Sequence, residues 1–295
     1  MMSTHITNSN WQSIGTIEEC RKKLHSEPFR ISHGLANSPL FDVERLLQAA
    51  SAAKHRPGDV YFDAGKVAID DKWGQIPVPD MPVEEVIRRV ETAGAWIILK
   101  HAERDPAYAA VLEQFREFVH SIAGPEGAKQ ILNPEMLVII SSPDRLTPFH
   151  FDAEINFLVQ VRGQKEVWIC DPQDRSVVSE IDIESYYARG KASGTYSPEV
   201  EHKARRFTLQ PGEGVHIPSH AAHWVKNGKD VSVSLSLNFE FPQWKYKDSY
   251  KMNYELRKLQ RSHNPPGSTE LTDRAKSIGF HLLSKSRSIL KIPND

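Results

Sequence analysis

Residues 147–168 read TPFHFDAEINFLVQVRGQKEVW, and how this run is folded decides what the chain is. Arg162-Gly163-Gln164 is a compact hairpin connection between two alternating segments, 156–161 and 165–170. In a strand, residues two apart share a face. His150 and Asp152 would then point to one side, Asn156 would lie with Leu158 and Gln160, and Lys165 with Val167 and Ile169. An ordinary sheet with polar decoration fits this pattern. So does a barrel that holds a metal and a carboxylic acid.

Working outward, MLVIISS (136–142), ARRFTLQ (204–210), GVHIP (214–218), HWVKN (223–227) and VSVSLSLNFEF (231–241) follow one another with short turns. Such a succession reads as an antiparallel sandwich or barrel. The last of these segments is the clearest. Val231, Val233, Leu235, Leu237, Phe239 and Phe241 face one way, and Ser232, Ser234, Ser236, Asn238 and Glu240 the other. Small polar residues on the second face suit a narrow lumen as well as they suit solvent. Before residue 130 the pattern is mixed. Helices are predicted over 14–27, 38–53, 82–93 and 105–124, the second opening on Ser38-Pro39 and the last ending at Gly124, with strands at 28–35 and 95–100. Two helical stretches, 245–261 and 268–291, end the chain. The expected organisation is one integrated domain: an N-terminal helix and strand flank (1–130), a β core (131–242) and a C-terminal helical segment (243–295). The stretch 172–198 interrupts the core as a long insertion, helical around IDIESYYARGK (181–191). Tyr186, Tyr187, Arg189 and Lys191 could form a lid over an anionic substrate there, but an exposed loop without a binding role is the plainer expectation.

Composition narrows the function classes. The chain has 295 residues, 39% apolar and 25% charged, with a formal net charge of −1. No overall field favours nucleic acid or a membrane surface, and no helix-turn-helix pattern stands out. Two distant cysteines, Cys20 and Cys170, make neither a disulfide framework nor a cysteine metal site. The first residues lack the basic and apolar regions of a secretory signal, and no apolar run approaches the length of a membrane span. A cytoplasmic protein is expected. The C-terminal segment from residue 243 carries 11 Lys/Arg against 5 Asp/Glu, which reads as a solvated helix face.

His150 and Asp152 can chelate a divalent ion, and a third ligand is available among His216, His220 and His223. Two histidines and one carboxylate leave open positions and suit non-haem Fe(II). Zn²⁺ accepts the same donors. A lone H-x-D pair is a weak signal, since a surface His followed by a turn-capping Asp gives it too. Lys165 adds weight, because an ammonium on an inward face needs a counter-ion, which a carboxylic acid ligand supplies. Its position beside the turn also allows it to reach water.

Over residues 131–242 the chain resembles the JmjC-type, cupin-like dioxygenases that use Fe(II), 2-oxoglutarate and O₂, and most of all the asparaginyl hydroxylase of hypoxia-inducible factor. The likeness rests on Thr147, His150, Asp152, Asn156-Phe157, Gly163 and Lys165, then Pro218, His223 and Asn238-Phe239. The resemblance implies a double-stranded β-helix of two four-stranded sheets with flanking helices. It implies His150, Asp152 and His223 as iron ligands, Lys165 and Thr147 at the distal carboxylate of 2-oxoglutarate, and Asn156 and Asn238 near its other end and the metal. It implies hydroxylation of a C–H bond with release of succinate and CO₂, on a small molecule, a protein side chain or a sugar, and dimerisation through the C-terminal helices. That asparaginyl hydroxylase also uses a tyrosine from an earlier strand to contact the cosubstrate. Residues 95–100, AWIILK, offer none, so the pocket should be completed differently here. His216 is expected on the strand entering the turn and His220 in the turn, each lining the substrate mouth or lying on the surface, and Glu154 is a further candidate ligand. A cupin-like sensor without turnover and a zinc or manganese cupin isomerase are the alternatives.

Overall fold

The computed structural model describes residues 9–36, 38–71, 76–190, 194–241, 246–261 and 263–290. Chain order runs β1 (Gln12–Ser13), α1 (Ile17–Lys23), β2 (Arg30–Ser32), α2 (Val43–Ala53), β3 (Val60–Ala64), α3 (Val83–Arg88), β4 (Ala95–Leu99) and α4 (Pro106–Ala128). It continues β5 (Leu132–Ser141), β6 (Leu146–His150), β7 (Ile155–Arg162), β8 (Lys165–Ile169), α5 (Glu180–Arg189), α6 (Pro198–Glu201), β9 (Arg205–Leu209), β10 (Glu213–Ile217), β11 (His223–Asn227), β12 (Ser232–Glu240), α7 (Lys247–Lys258) and α8 (Glu270–Leu290).

Local chemistry sets the element ends. Thr16 and Glu19 form a reciprocal capping box on α1, and Ser179 with Asp182 does the same on α5. Ser38 caps the short 3-10 turn Pro39–Phe41 that precedes α2. The sequence reads 38–53 as one helix; the structure starts α2 only after Asp42, whose backbone is extended. In α4, Asp105 caps and Pro106 takes the first position, and at Gly124 the backbone swings to φ 74°, breaking the helix where the sequence expects its end.

The strands form two facing sheets. One runs β1-β2-β10-β7-β12-β5-β4-β3, the other β6-β11-β8-β9. The four strands β10-β7-β12-β5 and the four of the second sheet make the two halves of the expected double-stranded β-helix. The N-terminal strands do more than flank it: β2 pairs with β10, and β4 with β5, extending the first sheet at both edges. The covering of an otherwise open edge removes unpaired backbone groups.

Three apolar layers hold the assembly. On the outer face of the large sheet, Val138, Phe157, Leu235, Leu237 and Phe239 pack against Phe115 and Val119 of α4. Each such fully buried side chain contributes about 1.5–3 kcal/mol. Between the sheets, Leu158, Val167, Ile169, Phe207, Val215 and Val225 pack together inside the barrel. Outside the small sheet, Phe149, Phe151 and Trp224 pack under Ile183 and Tyr187 of α5. The insertion is therefore a packed element rather than an exposed loop, because its helix brings apolar residues to a sheet face that would otherwise meet water. Lys191 lies outside the described residues. The C-terminal helices reach the body through Arg257, whose guanidinium makes two bonds of 2.8 and 3.0 Å to the buried carboxylate of Glu184 on α5. No helix among the described residues is long and apolar enough to cross a membrane.

Candidate metal centre

The serine face of β12 looks into the barrel. Ser232, Ser234 and Ser236 are buried, and the large sheet aligns Asn238 with Asn156 on one side and Glu135 on the other. Deep in the lumen, Gln160 donates to Ser232 Oγ at 3.0 Å and accepts from Ser234 Oγ at 2.8 Å. This polar cluster satisfies itself. Further along, a cavity of about 110 Å³ opens, lined by residues of both sheets, with Thr147, Lys165, Asn156 and Asn238 around it and His150, Asp152 and His223 at one end. All seven residues to which the resemblance gives site roles meet in this one cavity.

His150 and His223 are directly paired across β6 and β11, with ring centroids 4.2 Å apart. Each ring turns Nδ1 to a backbone carbonyl two residues earlier, Pro148 at 2.7 Å and Ala221 at 2.9 Å. Nδ1 thus donates, which assigns the ligand role to Nε2. Asp152 completes a triangle whose ligand atoms lie within 4.8 Å of one another, with Asp152 Oδ2 3.7 Å from His223 Nε2. Burial, then the neighbouring His150, hold the His223 imidazole below its ordinary pKa. It is neutral at pH 7, as a metal ligand must be. Among the described residues this is the one group of three or more metal-ligating side chains. The donor set, two imidazole Nε2 atoms and a carboxylate with room beside them, suits a divalent ion with open positions.

Sequence periodicity puts Asp152 on the strand of His150, but β6 ends at His150 and Asp152 lies on the connection to β7. Its carbonyl accepts from the His220 backbone N–H at 2.7 Å instead of entering the sheet ladder. Glu154 lines the same cavity but stands outside the ligand triangle. Burial, reinforced by Asp152, Glu240 and Glu135, pushes its carboxyl up to about 7. Carboxylates therefore gather at the metal end of the lumen.

Lys165 is 3% exposed, so its side chain does not reach water. Val167 and Ile169 share its apolar surroundings, and burial alone, with no neighbouring charge to offset it, pulls its amine down to about 7. The Asn156 Oδ1 atom is buried with no partner. An unpaired ammonium and an orphan amide oxygen in one cavity mark places where a polar ligand belongs.

His216 and His220 are not at a substrate mouth. His216 lies on the other face of β10, stacked on Phe29 at 4.4 Å and packed against Phe157, and burial drives its imidazole down to about 3. Its pairing opposite Phe157 dictates this, since paired residues share a face. His220 is the turn residue expected, in left-handed backbone at φ 62°, but it is buried rather than exposed. Trp96 and Ile98 of β4 also line the cavity. They come from the strand in which the sequence offers no tyrosine. Sequence reading missed them because every residue of β4 is buried, so no alternation marks a lumen side.

A sequence profile of the cupin-like domain matches residues 78–243. The chain belongs to the cupin-like domain family. Its fold is also that of solved structures of YcfD from Escherichia coli. One has a TM-score of 0.55 at 13% identity, covering 92% of this chain and 68% of that one. Another, described as the ribosomal oxygenase YcfD with cobalt and 2-oxoglutarate, has a TM-score of 0.52 at 14% identity, covering 92% and 67%. A third, with cobalt and succinic acid, has 0.51 at 14%, with the same coverage. The family match is to the cupin-like domain as a whole and does not single out the asparaginyl hydroxylase of hypoxia-inducible factor.

Proposed function

We propose that this chain is an Fe(II)- and 2-oxoglutarate-dependent oxygenase that hydroxylates a C–H bond of its substrate. The observation that carries the reading is Lys165: an unpaired ammonium buried in the cavity that also holds the His150, Asp152 and His223 triangle. A metal site alone has no use for it. A dicarboxylic cosubstrate that spans from metal to lysine does. That YcfD has been described with cobalt and 2-oxoglutarate, and with cobalt and succinic acid, lends the reading support.

In this reading His150, Asp152 and His223 hold the iron through two Nε2 atoms and one carboxylate. Lys165 takes the distal carboxylate of 2-oxoglutarate in a charge-assisted hydrogen bond, with the Thr147 hydroxyl beside it. Asn156 and Asn238 face the metal end. Bound iron supplies activation of O₂, coupled to oxidative decarboxylation of the cosubstrate. The balance is substrate C–H, 2-oxoglutarate and O₂ giving substrate C–OH, succinate and CO₂. The chain's own part is to orient the cosubstrate, present two imidazole Nε2 atoms to the ion and exclude water with Trp96, Ile98, Leu137, Ile139 and Leu158 around the cavity. A sensor or an isomerase could use the same triangle but gains nothing from Lys165. The implied dimer through the C-terminal helices belongs to the same reading. Leu271, Ile278 and Leu282 are exposed on α8, and sedimentation velocity checks it.

Anaerobic addition of Fe(II) and then 2-oxoglutarate tests the proposal. A visible charge-transfer band should appear and be absent in Asp152→Ala. Admission of air should yield succinate. No band and no succinate in the wild-type protein would overturn the reading.

A further inference from the structure

The loop that leads to His223 is tied to the segment that carries Asp152 by two bonds. The Ser219 hydroxyl donates to the Ala153 carbonyl, and the His220 N–H donates to the Asp152 carbonyl at 2.7 Å. The second tie demands an unusual backbone, since His220 sits at φ 62°, a region that costs a side-chain-bearing residue free energy unless its surroundings hold it there. What holds it is outside the barrel. His220 Nε2 lies 3.0 Å from the Tyr187 hydroxyl on α5. The Tyr187 ring stacks on Tyr250 of α7, with centroids 4.9 Å apart and planes at 14°. Phe151 packs edge-on against His220 from the side of the metal segment. A chain of contacts therefore runs from a C-terminal helix, through the insertion helix, to the backbone of a candidate metal ligand.

We propose that Tyr187 and His220 are positioning residues for the metal centre: by pinning the 218–222 turn, they fix the place of the Asp152 carboxylate relative to His150 and His223. Neither touches the ion. Asp152 needs such a device because it sits past the end of β6, where no strand partner fixes its backbone. Tyr250 extends the device to α7, so α7 and the insertion bear on the metal site without entering it. The inference rests on the metal-binding half of the functional reading.

The test is Mn(II) affinity, followed by electron paramagnetic resonance, in the wild-type protein and in Tyr187→Phe, which keeps the stacked ring and removes only the hydroxyl. Loss of partners outside the ligand set commonly weakens metal binding 10–100-fold. Because this one acts through the backbone, a rise in Kd of about tenfold is expected. His220→Asn, which tolerates left-handed backbone and keeps the N–H tie, should weaken binding to a similar degree. The double variant should be no worse than either single one, as for groups acting in series. A merely structural role would lower Tm, leave Mn(II) affinity within twofold of wild type and make the two changes additive. That outcome overturns the proposal. Wild-type protein that binds no Mn(II) would instead overturn the functional reading on which it rests.

Discussion

Replacing Lys165 by methionine, which keeps the length of the side chain and removes its charge, should make the protein more stable and its cosubstrate binding much weaker. Depression of the amine from 10.5 to about 7 corresponds to on the order of 5 kcal/mol of unfavourable charging in the ligand-free cavity. The folded pKa lies below the unfolded one. Between about pH 7 and 10.5 the unfolded chain therefore holds a proton that the folded chain lacks, and stability rises with pH across that window. Below pH 7 the whole penalty stands. Lys165→Met should remove this slope and raise stability near neutrality by on the order of 1–4 kcal/mol, as replacement of buried charges by apolar groups does, or several degrees in Tm. A carboxylate beside the ammonium reverses the shift, so 2-oxoglutarate binding takes up a proton above pH 7. Its affinity should fall by up to tenfold per pH unit above about 7 and be flat, as far as this group is concerned, below it. Truncating one partner of a buried charge pair costs about 2–5 kcal/mol, or roughly 30- to several-thousand-fold in Kd. Anaerobic calorimetry with Mn(II), at several pH values and in two buffers of different ionisation enthalpy, measures all of this. A Kd that stays constant from pH 7 to 9 with no proton uptake, or one unchanged in Lys165→Met, would refute the assignment.

Two structural predictions accompany it. Arg145 and Asp63 form a fully buried ion pair, and Arg145 also donates to the Gly65 carbonyl at 2.6 Å and to that of Gly94 at 2.9 Å. Asp63→Ala leaves that guanidinium unpaired and should cost about 3–5 kcal/mol, read as a fall in the urea midpoint. Gly163 turns the β7–β8 hairpin at φ 69°, and a Cβ there would stand 2.6 Å from the Val231 carbonyl oxygen. Gly163→Ala should destabilise by about 2 kcal/mol or more and, by displacing the start of β8, weaken 2-oxoglutarate binding even at saturating Mn(II).

The barrel was legible where local pattern and burial agree. The alternation of β12 and the hairpin around Gly163 set the register of three strands, and register decides which side chains meet in the lumen. The resemblance gave site roles to seven residues of the spaced motif, and the fold brings those seven to one cavity. What stayed hidden depends on contacts distant in sequence. Asp152 leaves the strand because His220, 68 positions later, takes its carbonyl. His216 turns away from the site because β10 pairs it with Phe157 and not with a lumen residue. Trp96 and Ile98 come from a strand buried on both faces, whose uninterrupted apolar run carries no directional signal. The insertion looks loop-like in composition. Its packing depends on Phe149, Phe151 and Trp224, which themselves look outward from the small sheet.

The lumen also shows how structural polarity differs from functional polarity within one cavity wall. Gln160, Ser232 and Ser234 bond to each other, so the barrel can bury them without a ligand. Lys165 and Asn156 are buried to a similar extent, yet neither the ammonium nor the Asn156 Oδ1 finds compensation. An orphan atom alone does not define a site. His216 Nε2 is equally unpartnered, but its ring is neutral, sits between Phe29 and Phe157 and does not line the cavity that holds the metal ligands. Lys165 and Asn156 differ in bordering open volume that also contains three convergent metal ligands. A sequence selected for stability alone would place an apolar residue at 165. Retention of a cation there, at a cost of several kcal/mol, is intelligible when an anion occupies the cavity in the working protein and restores the charge that the empty barrel suppresses.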